Sequence, residues 1–137
     1  MIIQPNSPIR MDYNPATDIL SVDYPDLENL LLPTIKHSLL TLVEAIKSYD
    51  VKKLLLDASR TIVSVSEEEN REVTLQLASE LAKTRLEMIA RVQPVDPAHE
   101  TRAQANIDRV KQAGLLPYQL QTFNTREAAM QWLLTGV

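Results

Sequence analysis

The residues that could do chemistry are few, and most lie in one stretch of the 137-residue chain, from Asp57-Ala58-Ser59-Arg60-Thr61 to Ser64-Val65. The stretch follows Leu54-Leu55-Leu56, a short apolar run of the kind that forms a strand buried on both faces. Asp57, at the end of that run, stands where a phosphoacceptor carboxylate would. That chemistry also needs a pair of acidic residues after the first strand to hold magnesium, and no such pair occurs. Ser59 follows the strand, yet a hydrolase nucleophile is flanked by glycines on a strained turn, and Ala58 and Arg60 flank this one. His37 falls opposite the apolar stripe of its helix. His99 opens a later helix beside Glu100, with no converging partner at metal-ligand or acid–base spacing. Both histidines therefore read as surface residues. The expectation is no catalytic residue, no metal site, no cofactor and no enzyme.

Composition narrows the classes further. Only two glycines occur, too few for a dinucleotide or Walker-type phosphate loop. There is no cysteine, which excludes disulfides, thiolate catalysis and cysteine–zinc sites. Fourteen basic against eighteen acidic side chains leave a net charge of −4, opposite to the bias of a nucleic-acid binder. The start, Met1-Ile2-Ile3-Gln4-Pro5-Asn6, has no basic n-region or long apolar stretch. The most apolar stretch, Leu27 to Ile46, is interrupted by Glu28, Pro33, Lys36, His37 and Glu44, so no membrane span is expected. The location expected is cytoplasmic.

The elements that must position the Asp57–Val65 loop can be read in order. Residues 9–13 alternate apolar and polar, Asn14-Pro15-Ala16-Thr17-Asp18 is turn chemistry, and Ile19–Tyr24 reads as a second strand, so an antiparallel hairpin is predicted. Ile35, Leu39, Leu42, Val43 and Ile46 mark one face of a helix ending at Tyr49-Asp50. Lys53–Asp57 is the central strand. Ser66-Glu67-Glu68-Glu69 is a capping box opening a second helix that runs to about Thr84, which explains the acidic triplet without a ligand. Met88–Val92 is a strand. A third helix, closed by Gly114, has the thin stripe Ala103, Ile107 and Val110, which places it at the periphery. Tyr118–Phe123, with Gln119 and Gln121 on one face, reads as an edge strand. Asn124-Thr125-Arg126-Glu127 caps a last helix that carries Trp132 as a core anchor. Strands alternating with helices imply an α/β fold: a mixed five-stranded sheet, mostly parallel with an antiparallel N-terminal strand, and four helices. One domain, 1–137, accommodates them.

Three local patterns carry a resemblance: Asn14-Pro15-Ala16-Thr17-Asp18-Ile19-Leu20; Lys52-Lys53-Leu54-Leu55-Leu56-Asp57-Ala58-Ser59; and Phe123 to Leu133. Together with the element order, the chain resembles the STAS, or SpoIIAA-like, domains, especially small stand-alone bacterial ones. In anti-sigma-factor antagonists of that family a serine at the end of the central strand is phosphorylated by a partner kinase, and Ser59 is the matching position. The family usually has glycine after that serine and enters the helix directly. Here Arg60 follows, and the cap, Ser66, is seven residues on.

The resemblance implies a non-enzymatic regulatory module that binds a protein partner, a kinase or another regulator, through Asp57, Ser59, Arg60, Thr61 and Ser64. The alternative is a small-ligand or lipid-binding module of the same fold. An apolar pocket of several hundred cubic ångströms would favour the second, a filled core the first. Self-association is a further expectation: Leu27, Leu30, Leu31, Leu32 and Leu40 are more apolar surface than one sheet face buries.

Overall fold

The computed structural model describes residues 2–3, 9–24, 32–61, 66–112, 114 and 117–136. In chain order the elements are β1 (Ile2–Ile3), β2 (Met11–Asn14), β3 (Ile19–Asp23), α1 (Leu32–Tyr49), β4 (Lys53–Asp57), α2 (Glu67–Leu81), β5 (Met88–Val92), α3 (Pro97–Gln112), β6 (Gln119–Phe123) and α4 (Arg126–Thr135). All six strands join one sheet in the order in which they occur. The first two pairs are antiparallel, and β3 through β6 are parallel.

This corrects the expected strand count from five to six and puts two antiparallel strands, not one, at the N-terminal edge. The added strand pairs Ile2 with Asp12 and Ile3 with Met11. Two residues are too few to display a period, so backbone pairing alone defines them.

The hairpin of β2 and β3 forms where turn chemistry predicts it. The Asn14 side chain accepts the Ala16 N–H at 3.0 Å. Asp18 takes a left-handed conformation (φ 57°), which aspartate tolerates better than most residues. Its carboxylate accepts the Tyr13 hydroxyl at 2.8 Å. Lys52 lies 3.7 Å from Asp18 and 3.3 Å from Asp50, so it links this turn to the end of α1.

The leucine run of β4 is interior to the sheet, and its alternation divides the core in two. Leu54 and Leu56 pack with Val43 and Ile46 of α1 and Val73 and Leu77 of α2. Leu55 turns to the other face, against Ile19, Ala90, Trp132 and Leu133. Thus α1, α2 and α3 cover one face and α4 the other. β6 is an edge strand, with Gln119 and Gln121 exposed, as their alternation indicates.

Helix starts follow local rules. Ser66 caps α2 by accepting the Glu69 N–H at 3.1 Å, and Glu69 accepts the Ser66 N–H in return at 3.3 Å. Thr125 caps α4 by accepting the Ala128 N–H at 3.2 Å. Among the described residues no helix is long and apolar enough to cross a membrane. Leu27, Leu30 and Leu31 lie outside the described residues. Leu40 is exposed.

Parallel strands that follow one another in space, joined by crossovers of a single hand, keep their connecting helices on one face. The strand order never reverses, so the sheet has no switch-point crevice of the kind that holds ligands in doubly wound folds. Any internal site must lie between the helix layer and the sheet.

Candidate functional site

Such a space exists under α2 and α3. On α2 the inward positions Asn70, Thr74 and Ala78 are spaced by four and carry small or polar side chains. On α3, His99 and Ala103 continue back, also by four, the stripe that ends in Ile107 and Val110. Small side chains on two facing helices leave a gap above Leu56, Ile89 and Leu120 of the sheet. The gap is a partly open cavity of about 110 Å³. One end is apolar. The other lies at the carboxyl ends of the strands, where Tyr24, Thr61, Asn70, Arg91 and His99 line it.

Arg91 is the unexpected member. It belongs to β5, whose other residues, Met88, Ile89, Ala90 and Val92, are apolar, and its side chain is only 8% exposed. Its Nη2 donates to Glu100 Oε1 at 2.6 Å and its Nη1 to Glu100 Oε2 at 3.1 Å. A second Nη1–H bond goes to Thr122 Oγ1 at 3.3 Å. Glu100 therefore occupies the end-on fork of the guanidinium. The side-on fork, Nε–H with the other Nη2–H, makes no hydrogen bond among the described residues. The Tyr24 hydroxyl likewise has no partner among them. Burial pushes its ionisation up to about 12, against the opposing pull of the Arg91 charge, so it stays a donor. The polar end of the cavity thus presents the Tyr24 hydroxyl and the Arg91 guanidinium as donors.

His99 is not the surface residue its sequence context suggested. It lies on the inward stripe of α3, its ring 20% exposed at the cavity, with Nδ1 3.8 Å from Asp96 Oδ2.

The loop read from sequence borders this cavity. Asp57 accepts the Ser59 N–H at 2.9 Å on Oδ1 and the Arg126 guanidinium at 3.1 Å on Oδ2. Burial alone would raise the Asp57 carboxyl. Hydrogen bonding from Ser59 and then Arg126 outweighs burial and holds it below its ordinary range. Arg126 also lies 3.7 Å from Asp23. Ser59 is half-buried beside this cluster, and Arg60 is exposed. Thr61 is buried rather than displayed on the loop surface, because its hydroxyl donates to the Tyr24 carbonyl at 3.0 Å and its N–H to the Ala58 carbonyl at 3.1 Å. Ala58 and Thr61 both line the cavity. Ser64 lies outside the described residues.

No family model, curated protein or solved structure gives a significant match to the chain. The site therefore stands on its geometry. Of the residues expected from sequence, Thr61 lines the cavity, while Asp57, Ser59 and Arg60 lie beside it; Tyr24, Arg91, Glu100 and Arg126 were not expected. The signal for Arg91 was available, a lone charge inside an otherwise apolar strand.

Proposed function

We propose that the protein is a binding module for a small, uncharged, mostly apolar molecule carrying a carbonyl-type acceptor. The observation that carries this reading is the open side-on fork of Arg91 at the polar end of an apolar cavity. The end-on fork is already neutralised by Glu100, so an ionised carboxylate would add an unbalanced negative charge to a desolvated site, at high cost. A carbonyl oxygen takes two donors without that cost. The volume suits one ring or a short branched chain, below the several hundred cubic ångströms of ordinary drug-sized sites. Tyr24 keeps its proton, which suits holding a molecule more than moving its protons.

The test compares acetophenone, ethylbenzene and benzoate by methyl chemical-shift titration. Saturable binding of acetophenone at Ile89 and Leu120, weaker for the hydrocarbon and weakest for the carboxylate, is the expected order. No saturable shift at these methyls with any of the three would refute the proposal, and benzoate binding tightest would refute its charge argument.

A second reading keeps the resemblance to SpoIIAA-like domains, which the sequential order of parallel strands supports. It is a regulatory module that engages a protein partner and is switched at Ser59. The observation favouring it is Arg126, 3.1 Å from Asp57 and already charged. A phosphate on Ser59, bringing about −1.5 to −2 charges, would repel Asp57 and draw Arg126 away from it. Partner binding compared among the unmodified protein, Ser59→Ala and Ser59→Asp tests this. Equal binding by all three, with no phosphate on Ser59 from cells, ends the switch.

A further inference from the structure

Between the same two helices lies a second, smaller hollow of about 80 Å³ with the opposite character. Arg71 from α2 and Arg102 and Arg109 from α3 line it, with Glu67, Asn70 and Asn106. Three guanidinium groups against one carboxylate give this hollow a local charge of +2, on a chain whose net charge is −4. Among the described residues Glu67 pairs only with Arg102, at 3.4 Å and near solvent. Arg71 and Arg109 make no ion pair among the described residues. The Arg71 Nε is buried without a hydrogen-bond partner. Asn70 and Asn106 are each 8% exposed, and neither carboxamide has a hydrogen bond among the described residues.

Like charges gathered beside one another, and the buried Arg71 Nε left open, both cost free energy that folding does not recover locally. One kind of ligand relieves both. It must be an anion, must bring several acceptors at once, and must fit a hollow of this size. We infer that the hollow between α2 and α3 is a binding site for a phosphate-type oxyanion, held by Arg71, Arg102 and Arg109 with Asn70 and Asn106. Guanidinium groups match phosphate oxygens two at a time, and the carboxamides supply further donors. The site shares only Asn70 with the apolar cavity.

The phosphate can be free or the headgroup of a lipid, and two arms separate these sources. In the first, inorganic phosphate is titrated against the intact chain by calorimetry and amide chemical shifts. In the second, flotation with vesicles of phosphatidylcholine containing phosphatidic acid is compared with phosphatidylcholine alone. Saturable binding in either arm, weakened about tenfold or more by Arg71→Gln and by Arg109→Gln but not by Arg85→Gln, supports the site. Arg85 lies elsewhere, paired with Asp50 at 3.2 Å. Binding in the first arm identifies the free anion, and binding in the second alone the headgroup. Arg109 is exposed, so its variant keeps the test valid if Arg71→Gln misfolds. Absence of saturable binding in both arms, or binding that both variants leave unchanged, overturns the inference.

Discussion

Ala103→Leu tests directly whether the space under α2 and α3 is real. Ala103 sits on the inward stripe of α3 and lines the cavity. A void costs about 24 cal/mol per Å³ where the surroundings do not collapse, so 110 Å³ corresponds to about 2.6 kcal/mol. Counted the other way, leucine adds three carbons, each contributing about 0.8 kcal/mol on burial, about 2.4 kcal/mol in all. The two estimates agree, and both are upper limits. The cavity is partly open, so some of its lining is already wet, and a buried leucine loses about 0.5–1 kcal/mol of rotamer freedom. A net gain of about 1 kcal/mol follows, read as a rise of roughly 4 °C in Tm. Urea unfolding measures it, with Ala128→Leu on the exposed face of α4 as the control expected to stay within about 0.5 kcal/mol. The same substitution should abolish acetophenone binding. A loss of 1–3 kcal/mol, the usual cost of overpacking, would show that no space exists and refute the cavity.

Four further outcomes follow from the geometry. Glu100→Ala should destabilise the fold by about 2–3 kcal/mol in urea unfolding, toward or below the lower end for a buried pair because Glu100 keeps 18% exposure, whereas Arg91→Met with Glu100→Leu should be nearly neutral. Tyr13, through its hydrogen bond to Asp18, and Tyr24 and Tyr118, through burial, are pushed up to about 12. A raised folded value means that their stabilisation is intact below pH 10 and is lost as the pH rises toward 12, so phenolate absorbance from these three should appear with alkaline unfolding and not near pH 10 in the folded chain. Asp57 is held below its ordinary 3.8, so its contribution is present above that pH and fades as the pH falls further; Asp57→Asn should flatten the acid limb of the stability profile, measured by thermal unfolding. Ser66→Ala removes the α2 cap and should cost about 1 kcal/mol, and an unchanged urea midpoint would refute the capping role.

What was legible in the sequence was what repeats. Three consecutive leucines leave no wet face, so β4 could only be interior. Gln119 and Gln121 on one face marked an edge. Ser66 and Glu69, three apart, fixed the start of α2. The site was less legible because a cavity is an absence, written as small side chains where large ones would fill the space. The Asn70, Thr74, Ala78 series is nonetheless a period of four inside a helix whose other inward residues are Val73, Leu77 and Leu81. His99 shares its spacing with Ala103 and Ile107, yet its place at the start of the helix, next to a glutamate, made it look exposed. The partners of Arg91 and Asp57 were beyond reach for another reason. Glu100 and Arg126 reach those residues from separate elements, 9 and 69 positions along the chain, so only the packed sheet brings them together.

Arg91 is also the residue on which the proposed ligand reading of the cavity rests. Two apolar residues at the places of Arg91 and Glu100 would hold β5 against α3 as well as the ion pair does, since a buried pair rarely adds stability over well-packed hydrocarbon. Stability alone thus gives no reason for an arginine in that strand. Nor does it give a reason for a guanidinium bonded to Glu100 and Thr122 whose remaining donors make no hydrogen bond among the described residues. On the proposed reading, a molecule in the cavity that brings an acceptor supplies those bonds. Glu100 sets which molecule qualifies, because it cancels the charge of Arg91 while leaving its side-on donors in place. Changing Glu100 to glutamine should therefore reverse the preference, favouring benzoate over acetophenone, and unaltered ligand order in that variant would break the link between the ion pair and selectivity.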